Sequence, residues 1–205
     1  MDQNFQENVE VPPEDISELY NKIFTDIPII KNSQDLVSKL QKMHNESDRV
    51  IEEFRKILID FTEMLVKISS NNLLINYKDE IIKTINDHPK KIIDTFIIHG
   101  YIENKGTYRK EIIQGNEDFF LDNSYKEFTN EKSGSVDQGV VDRIFQFKTF
   151  WAKLDNDSKF IIKTFLLTLC FYSDKRFIIF NRYQEYKNIY KSKYGNIFES
   201  FDLIL

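Results

Sequence analysis

The sequence is poor in residues that cross-link, bend or break a chain. Its single cysteine, Cys170, excludes an intramolecular disulfide, and the apolar stretch around it predicts a buried structural thiol. Only 6 glycines and 4 prolines occur among 205 residues, so few residues are available to form turns. These shortages favour long helices over many short strands.

Long hydrophobic runs are absent as well. The longest uncharged apolar run, residues 164–172, is far shorter than the roughly 20 residues that span a bilayer. The first residues, MDQNFQENVE, contain neither the basic nor the apolar segment of a secretory signal. We therefore expect an intracellular protein that does not use a membrane.

The usual signatures of catalysis are missing too. The sequence has no phosphate-binding glycine loop, zinc-protease motif, nucleophile elbow or C-x-x-C pair, and its three dispersed histidines do not form a metal motif. Asp155 and Asp157 resemble the start of a calcium loop, but Phe160 and Leu166 stand where that loop needs its glycine and glutamate. Asp155 is better explained as a helix N-cap. We expect no enzyme activity and no catalytic, cofactor-binding or metal-binding residue.

The dominant feature that is present is a long apolar heptad repeat. Nine of its ten a and d positions are apolar, and Ser47 is the exception: Leu36, Met43, Val50, Ile57 and Met64 at a, and Leu40, Ser47, Phe54, Phe61 and Ile68 at d. No glycine or proline interrupts it, so the repeat predicts one helix over residues 33–70 with a coiled-coil-like seam. Either the chain's own helices or a second copy of the chain can cover this seam.

The remaining segments divide around the heptad helix. We expect a flexible acidic N-terminus at residues 1–13 and a helical region at 14–129 that contains the heptad helix. Glycine, serine and charge predict a linker at 130–139, followed by a C-terminal helical region at 140–205 that packs on the same core. The predicted fold class is all-α: a long coiled-coil-like helix packed with a C-terminal helical bundle.

Local patterns predict the smaller elements. They indicate a short helix over residues 77–86, a second that begins beyond His88-Pro89 and stops at Gly100, and a loop or irregular ribbon over 101–114. A very apolar helix begins after Asp155 and is expected to be the central buried one. Gly195 is expected to stop the helical structure that follows it.

Charge is spread unevenly, from −6 in residues 1–18 to +4 in residues 174–194. In the basic segment, tyrosines at helical spacing alternate with basic residues and form a candidate interaction face: Arg182, Tyr183, Tyr186, Lys187, Tyr190, Lys191 and Lys193. Such a face can stack bases and pair with phosphates. The same spacing is typical of tyrosines at the wet edge of a core, with the face contacting protein or the acidic N-terminus. This second interpretation is our default.

Three short patterns occur in the second half of the chain: FIIH at residues 96–99, DFF at 118–120 and WAKLDNDSK at 151–159. Together they resemble a loose group of uncharacterised helical proteins of nucleocytoplasmic large DNA viruses. The matching residues are Phe96, Ile97, His99, Asp118, Phe119, Phe120, Trp151, Leu154, Asp155, Asp157 and Lys159. The sequence departs from the group where Ile162 or Phe165 replaces a second tryptophan. The resemblance implies a helical fold and a viral origin, and no activity, because the group has none established.

These observations together predict a non-enzymatic viral protein that acts by protein–protein interaction, in the virion or as a modulator in the host cytoplasm. Its partner would be a second copy of the chain or another viral or host protein. The alternative is a nucleic-acid-binding accessory protein that uses the basic tyrosine face.

Overall fold

Every regular element in the described part of the molecule is a helix. The computed structural model describes residues 18, 19, 21, 29–68, 72–103, 105–118, 121 and 149–201. In this part of the chain the order is α1 Ser33–Ile68, α2 Asn72–Asp87, α3 Pro89–Ile97, a π-helical segment Ile98–Glu103, α4 Thr107–Gln114 and α5 Asn156–Glu199. The predicted all-α class is confirmed. The predicted flexible N-terminus (1–13) and linker (130–139) lie outside the described residues.

The heptad repeat forms α1, a helix of 36 residues that is about 54 Å long. Asn32 caps its start, because Asn32 Oδ1 accepts a hydrogen bond from the Asp35 amide over 2.9 Å. The first half of the seam is buried: Leu36, Leu40, Ser47, Val50 and Phe54. Since α1 packs mainly against α5, the chain's own helices cover this half of the seam.

His88 and Pro89 separate α2 from α3, as the sequence predicts. Pro89 lies in the first turn of α3, where a missing N–H costs no helical hydrogen bond. Ile93 and Ile97 of α3 are fully buried in the core that α1 and α5 share. The third helix therefore closes one side of the α1–α5 pair.

The predicted stop at Gly100 and the predicted loop over residues 101–114 are both wrong. The chain stays helical through the π-helical segment, which contains Gly100, and forms α4 after a short turn. Neither piece is long enough for a 3.6-residue apolar period to repeat, so the sequence pattern is weak there. α4 ends at Gly115, whose left-handed backbone (φ 63°) lets the next amides bond back to the carbonyls of its last turn.

α5 covers 44 residues, as two helical stretches joined at a kink. The predicted N-cap is confirmed, since Asp155 Oδ1 accepts a hydrogen bond from the Ser158 amide over 2.7 Å. The first stretch is interrupted at Tyr194 (φ −133°, ψ 33°), one residue before the predicted stop at Gly195, and a short second stretch then runs to Glu199. Phe198 is buried beyond the kink, and its packing stabilises the last turn.

Burial along α5 is less complete than predicted. Leu169, Cys170 and Phe177 are buried in its middle, whereas Phe160 and Ile161 near its start are 64% and 42% exposed. Phe160 lies on the opposite side of the helix from Leu169, and Ile161 lies at the edge of the buried stripe. The start of α5 therefore presents apolar surface on its outer side.

Candidate functional site

The tyrosines of the predicted basic face are largely core residues. Tyr183 and Tyr186 are buried, and the Tyr183 hydroxyl donates a hydrogen bond to the Phe198 carbonyl over 3.2 Å. The Tyr190 hydroxyl accepts one from the Ile30 amide over 3.0 Å, and its ring stacks on Tyr186 with centroids 6.2 Å apart. The buried rings of Tyr183 and Tyr186 have no face to offer a nucleobase, so their helical spacing reflects packing.

The basic residues of the same face lie further out. Lys191 and Lys193 are exposed, and Arg182 and Lys187 are half-buried. Lys187 Nζ lies 5.7 Å from the Tyr183 ring centroid, which places its charge over the outer edge of the buried tyrosine. The structure thus separates the predicted face into an inner layer of tyrosines and an outer layer of cations.

A buried ion pair joins α4 to α5. Arg109 Nε and Nη2 donate to the two carboxylate oxygens of Asp174 over 2.8 and 2.7 Å. The Tyr101 hydroxyl, from the π-helical segment, lies 2.5 Å from Asp174 Oδ1 and 3.1 Å from the Cys170 carbonyl. Burial alone would lower the pKa of the Arg109 guanidinium, but the pairing with Asp174 outweighs it and the pKa is raised.

The same environment controls the protonation of the neutral groups. Burial raises the pKa of the Tyr101 hydroxyl well above its ordinary value, so the hydroxyl remains a hydrogen-bond donor. Burial likewise raises the pKa of the Cys170 thiol. A thiol that resists ionisation is a poor nucleophile, and this agrees with the structural role predicted for Cys170.

A second buried ion pair lies two positions further along α5. Arg176 Nε donates to Asp94 Oδ1 of α3 over 3.2 Å, and Arg176 Nη1 donates to Ser47 Oγ of α1 over 2.8 Å. Lys90 Nζ reaches the other oxygen of Asp94 at 3.6 Å from the solvent side. The arginine therefore joins three helices.

The two pairs hold the fold together and are closed to solvent. Both arginine side chains are fully buried and both carboxylates nearly so, and two positive charges balance two negative ones. Buried charges persist only when paired in this way. These four residues are not among those predicted from the sequence. The available signal was a charged residue inside an apolar stretch: Asp94 within IIDTFI, and Asp174 and Arg176 within FYSDKRFIIF.

The most site-like feature is a cavity of about 380 Å³ where the later part of α1 meets the end of α4 and the start of α5. Its walls are formed by Phe61, Leu65, Ile112, Gly115, Glu117, Leu121, Phe150, Trp151, Ile162, Lys163 and Leu166. The first half of the α1 seam packs in the core as far as Phe54, whereas Phe61, further along the seam, lines the cavity together with the neighbouring Leu65.

Glu117 connects three parts of the cavity wall. Glu117 Oε1 lies 2.7 Å from Lys163 Nζ, Oε2 accepts a 2.9 Å hydrogen bond from Trp151 Nε1, and Lys159 Nζ lies 3.6 Å away. The hydrogen bond from Lys163, followed by that from Trp151, lowers the pKa of Glu117 to about 2. Lys159 and Lys163 reach one carboxylate because residues four apart share a helix face.

Chemically, the cavity is suited to holding an apolar group. Apart from Glu117, Lys163 and the Trp151 N–H, which bond to one another, the described lining side chains are hydrocarbon. From the sequence, Glu117 is predicted only as part of a helix start and Trp151 as part of an amphipathic helix. The cavity is not visible in the sequence, because its walls come from segments that are distant along the chain.

Within the described residues, no group of three or more His, Cys, Asp and Glu side chains is placed to hold a metal ion. None of the described helices combines the length and the apolar character needed to cross a membrane. The sequence matches no protein-family model, and neither the curated proteins nor the solved structures contain a match to the chain. Function therefore has to follow from the geometry of the cavity.

Proposed function

We propose that this chain is a non-enzymatic binding protein that acts by protein–protein contact, and that the cavity between α1, α4 and α5 receives an apolar side chain of its partner. The cavity carries the proposal: it has a volume of about 380 Å³, and its described lining residues are apolar apart from the Glu117–Lys163 ion pair and the Trp151 N–H. Bulky side chains that fill such pockets dominate the energetics of interfaces.

The cellular setting is part of the same proposal. The patterns around Phe96, Asp118 and Trp151 support a viral origin through their resemblance to helical proteins of large DNA viruses. In that setting the chain is a virion component or a modulator in the host cytoplasm. The partner is a different viral or host protein, because the first half of the α1 seam is already covered by the chain itself.

The experiment that tests the proposal is selection of displayed peptides on the full-length chain, followed by binding to two matched variants. Leu166→Phe enlarges a side chain that lines the cavity. Leu167→Phe makes the same change on the adjacent residue of α5, which does not line it. Circular dichroism and denaturation would establish that both variants fold.

We expect selected peptides with bulky apolar residues that lose binding to Leu166→Phe and keep it with Leu167→Phe. Peptides that bind both variants as well as the unmodified chain would overturn the assignment of the cavity as the docking site. Failure to select any peptide would count against the proposal in the same way.

A further inference from the structure

The polar groups of the cavity wall satisfy one another. Glu117 uses one oxygen for Lys163 Nζ at 2.7 Å and the other for Trp151 Nε1 at 2.9 Å. Among the described lining residues the charges of Glu117 and Lys163 cancel, and Lys159, which is not part of that lining, also pairs with Glu117 at 3.6 Å. An entering charged group would lose its water and meet, among these residues, only charges that are already paired. The chemistry of the wall therefore favours an uncharged occupant.

The aromatic part of the wall is held in place before any partner arrives. Phe61 stacks on Phe165, with centroids 5.3 Å apart and ring planes 27° apart. Trp151 is fixed by its hydrogen bond to Glu117, and Lys159 Nζ lies 5.5 Å from its ring centroid. Rings that are already fixed bind another aromatic ring, in offset or edge-to-face packing, with a more favourable free energy than an aliphatic group of the same area.

The size of the cavity limits what can enter. A volume of about 380 Å³ is at the lower end of the range for small-ligand pockets. It suits one bulky side chain and is too small for a helix, which is about 10 Å wide with its side chains. Only a protruding residue of the partner can fill it.

We infer that the partner inserts a single uncharged aromatic side chain between Phe61 and Trp151. This inference rests on the proposed function and specifies the chemistry of the residue that docks. The Glu117–Lys163–Trp151 cluster supports selectivity in two ways: it fixes the indole, and it pairs the charges that the described lining residues carry, so that they do not attract an ionised side chain.

Trp151 allows a direct test, because it is the only tryptophan in the chain and lines the cavity. Its fluorescence would be titrated with four side-chain surrogates: the N-acetyl amides of phenylalanine, 4-carboxyphenylalanine, 4-(aminomethyl)phenylalanine and cyclohexylalanine. The first is neutral and aromatic, the next two carry a negative or a positive charge at the ring tip, and the last is neutral and aliphatic. Each titration would be repeated on Leu166→Phe and Leu167→Phe.

The expected result is a saturable change in Trp151 emission with the phenylalanine amide. Binding should be at least about tenfold weaker for both charged surrogates, because an unpaired charge would be desolvated. It should be about threefold weaker for the cyclohexyl surrogate, which lacks a ring quadrupole. Leu166→Phe should abolish the response and Leu167→Phe should retain it.

Several results would overturn the inference and still separate it from the proposed function. Preferred binding of the carboxylate would show that Lys159 recruits an acidic residue, and preferred binding of the cyclohexyl amide would remove the aromatic requirement. In either case a response that Leu166→Phe abolishes leaves the cavity as the docking site. If no surrogate binds but the selected peptides still lose binding to Leu166→Phe, then only the inference that a single aromatic side chain docks is refuted. If the peptides do not depend on that position either, both proposals fail.

Discussion

Arg176 Nη1 donates a 2.8 Å hydrogen bond to Ser47 Oγ, and this bond joins the middle of α5 to the only polar a or d position of the α1 heptad repeat. The same guanidinium donates from Nε to Asp94 of α3 over 3.2 Å. The serine that weakens the repeat as a coiled-coil pattern therefore supplies an acceptor to a buried charge. The polar residue that interrupts the heptad pattern is therefore needed to pair with a buried arginine in the folded protein.

Completing the heptad repeat should destabilise the protein. We expect Ser47→Leu to lower the free energy of unfolding by about 1–3 kcal/mol, because Arg176 loses a buried acceptor and the larger side chain overpacks the site. Ser38→Leu, an exposed position of the same helix, is the matched control. Urea denaturation of both variants gives the comparison. A Ser47→Leu protein more stable than the control would show that the hydrogen bond contributes little.

Replacing one residue of the Arg109–Asp174 pair should lower the free energy of unfolding more than replacing both residues. We expect Asp174→Asn to destabilise the fold by about 3–5 kcal/mol, since the Arg109 charge stays buried without a counter-charge. Replacing both residues, as Arg109→Met with Asp174→Leu, should cost less than Asp174→Asn alone. Denaturation of the single and double variants measures the coupling. Additive losses would contradict the pairing.

The hydroxyl of Tyr101 can be tested separately from its ring. Tyr101→Phe keeps the packing on Phe177, where the centroids are 5.5 Å apart, but removes the donor to Asp174. We expect a loss of about 1–2 kcal/mol in thermal or chemical unfolding. Tyr77→Phe, at a position 53% exposed on α2, should have no measurable effect. Equal effects of the two substitutions would contradict a specific role for the buried hydroxyl.

The Glu117 cluster predicts a dependence of stability on pH. The pKa of Glu117 falls from 4.5 to about 2 on folding, so its stabilising effect is complete above pH 4.5 and is lost as the pH falls from 4.5 towards 2. At neutral pH we expect Glu117→Gln to be about 1 kcal/mol less stable, a modest value because solvent screens a partly exposed pair. The difference should disappear near pH 2. Asp118→Asn, the adjacent exposed carboxylate, is the control, and a difference that persists unchanged in acid would refute the assignment.

The separation of tyrosines from cations in the basic segment of α5 can be tested by substitution. Lys187→Glu, Lys191→Glu and Lys193→Glu together should change the free energy of unfolding by less than about 1 kcal/mol, because surface changes seldom exceed 0.5 kcal/mol each. Tyr183→Ala should cost about 3–5 kcal/mol, as expected for a large buried ring. The same lysine variant tests the nucleic-acid alternative. Loss of binding to a short DNA or RNA duplex would support that alternative, and a chain that never binds nucleic acid would exclude it.

The parts of the fold that could be predicted are those in which one apolar period repeats or a side chain caps the backbone. α1 contains nearly five heptads, Pro89 lies in the first turn of α3, and Asp155 caps the start of α5. Each of these helices can therefore be predicted from residues that are close together in the sequence. The helix ends were harder to predict. The chain stays helical through Gly100, where a stop was predicted, whereas the helix does break at Tyr194, beside Gly195.

The candidate site could not be predicted, because its contacts are long-range. The bonds from Arg109 to Asp174 and from Arg176 to Asp94 span 65 and 82 residues. Glu117 and Trp151 are 34 residues apart in the chain. Local spacing indicated the tyrosines of α5 as an interaction face, yet spacing alone does not distinguish a ring that faces a partner from one that faces the core.

Asp174 and Arg176 stand two positions apart on α5 with opposite charge, and each faces a residue of opposite sign on a different neighbour. Replacing Asp174 alone would take away the carboxylate that pairs with the buried Arg109, whereas Asp94 would keep Lys90 at 3.6 Å if Arg176 were replaced. We therefore expect positions 109 and 174 to change together during divergence of this chain. The linkage of 94 with 176 is weaker, because Lys90 can still balance Asp94.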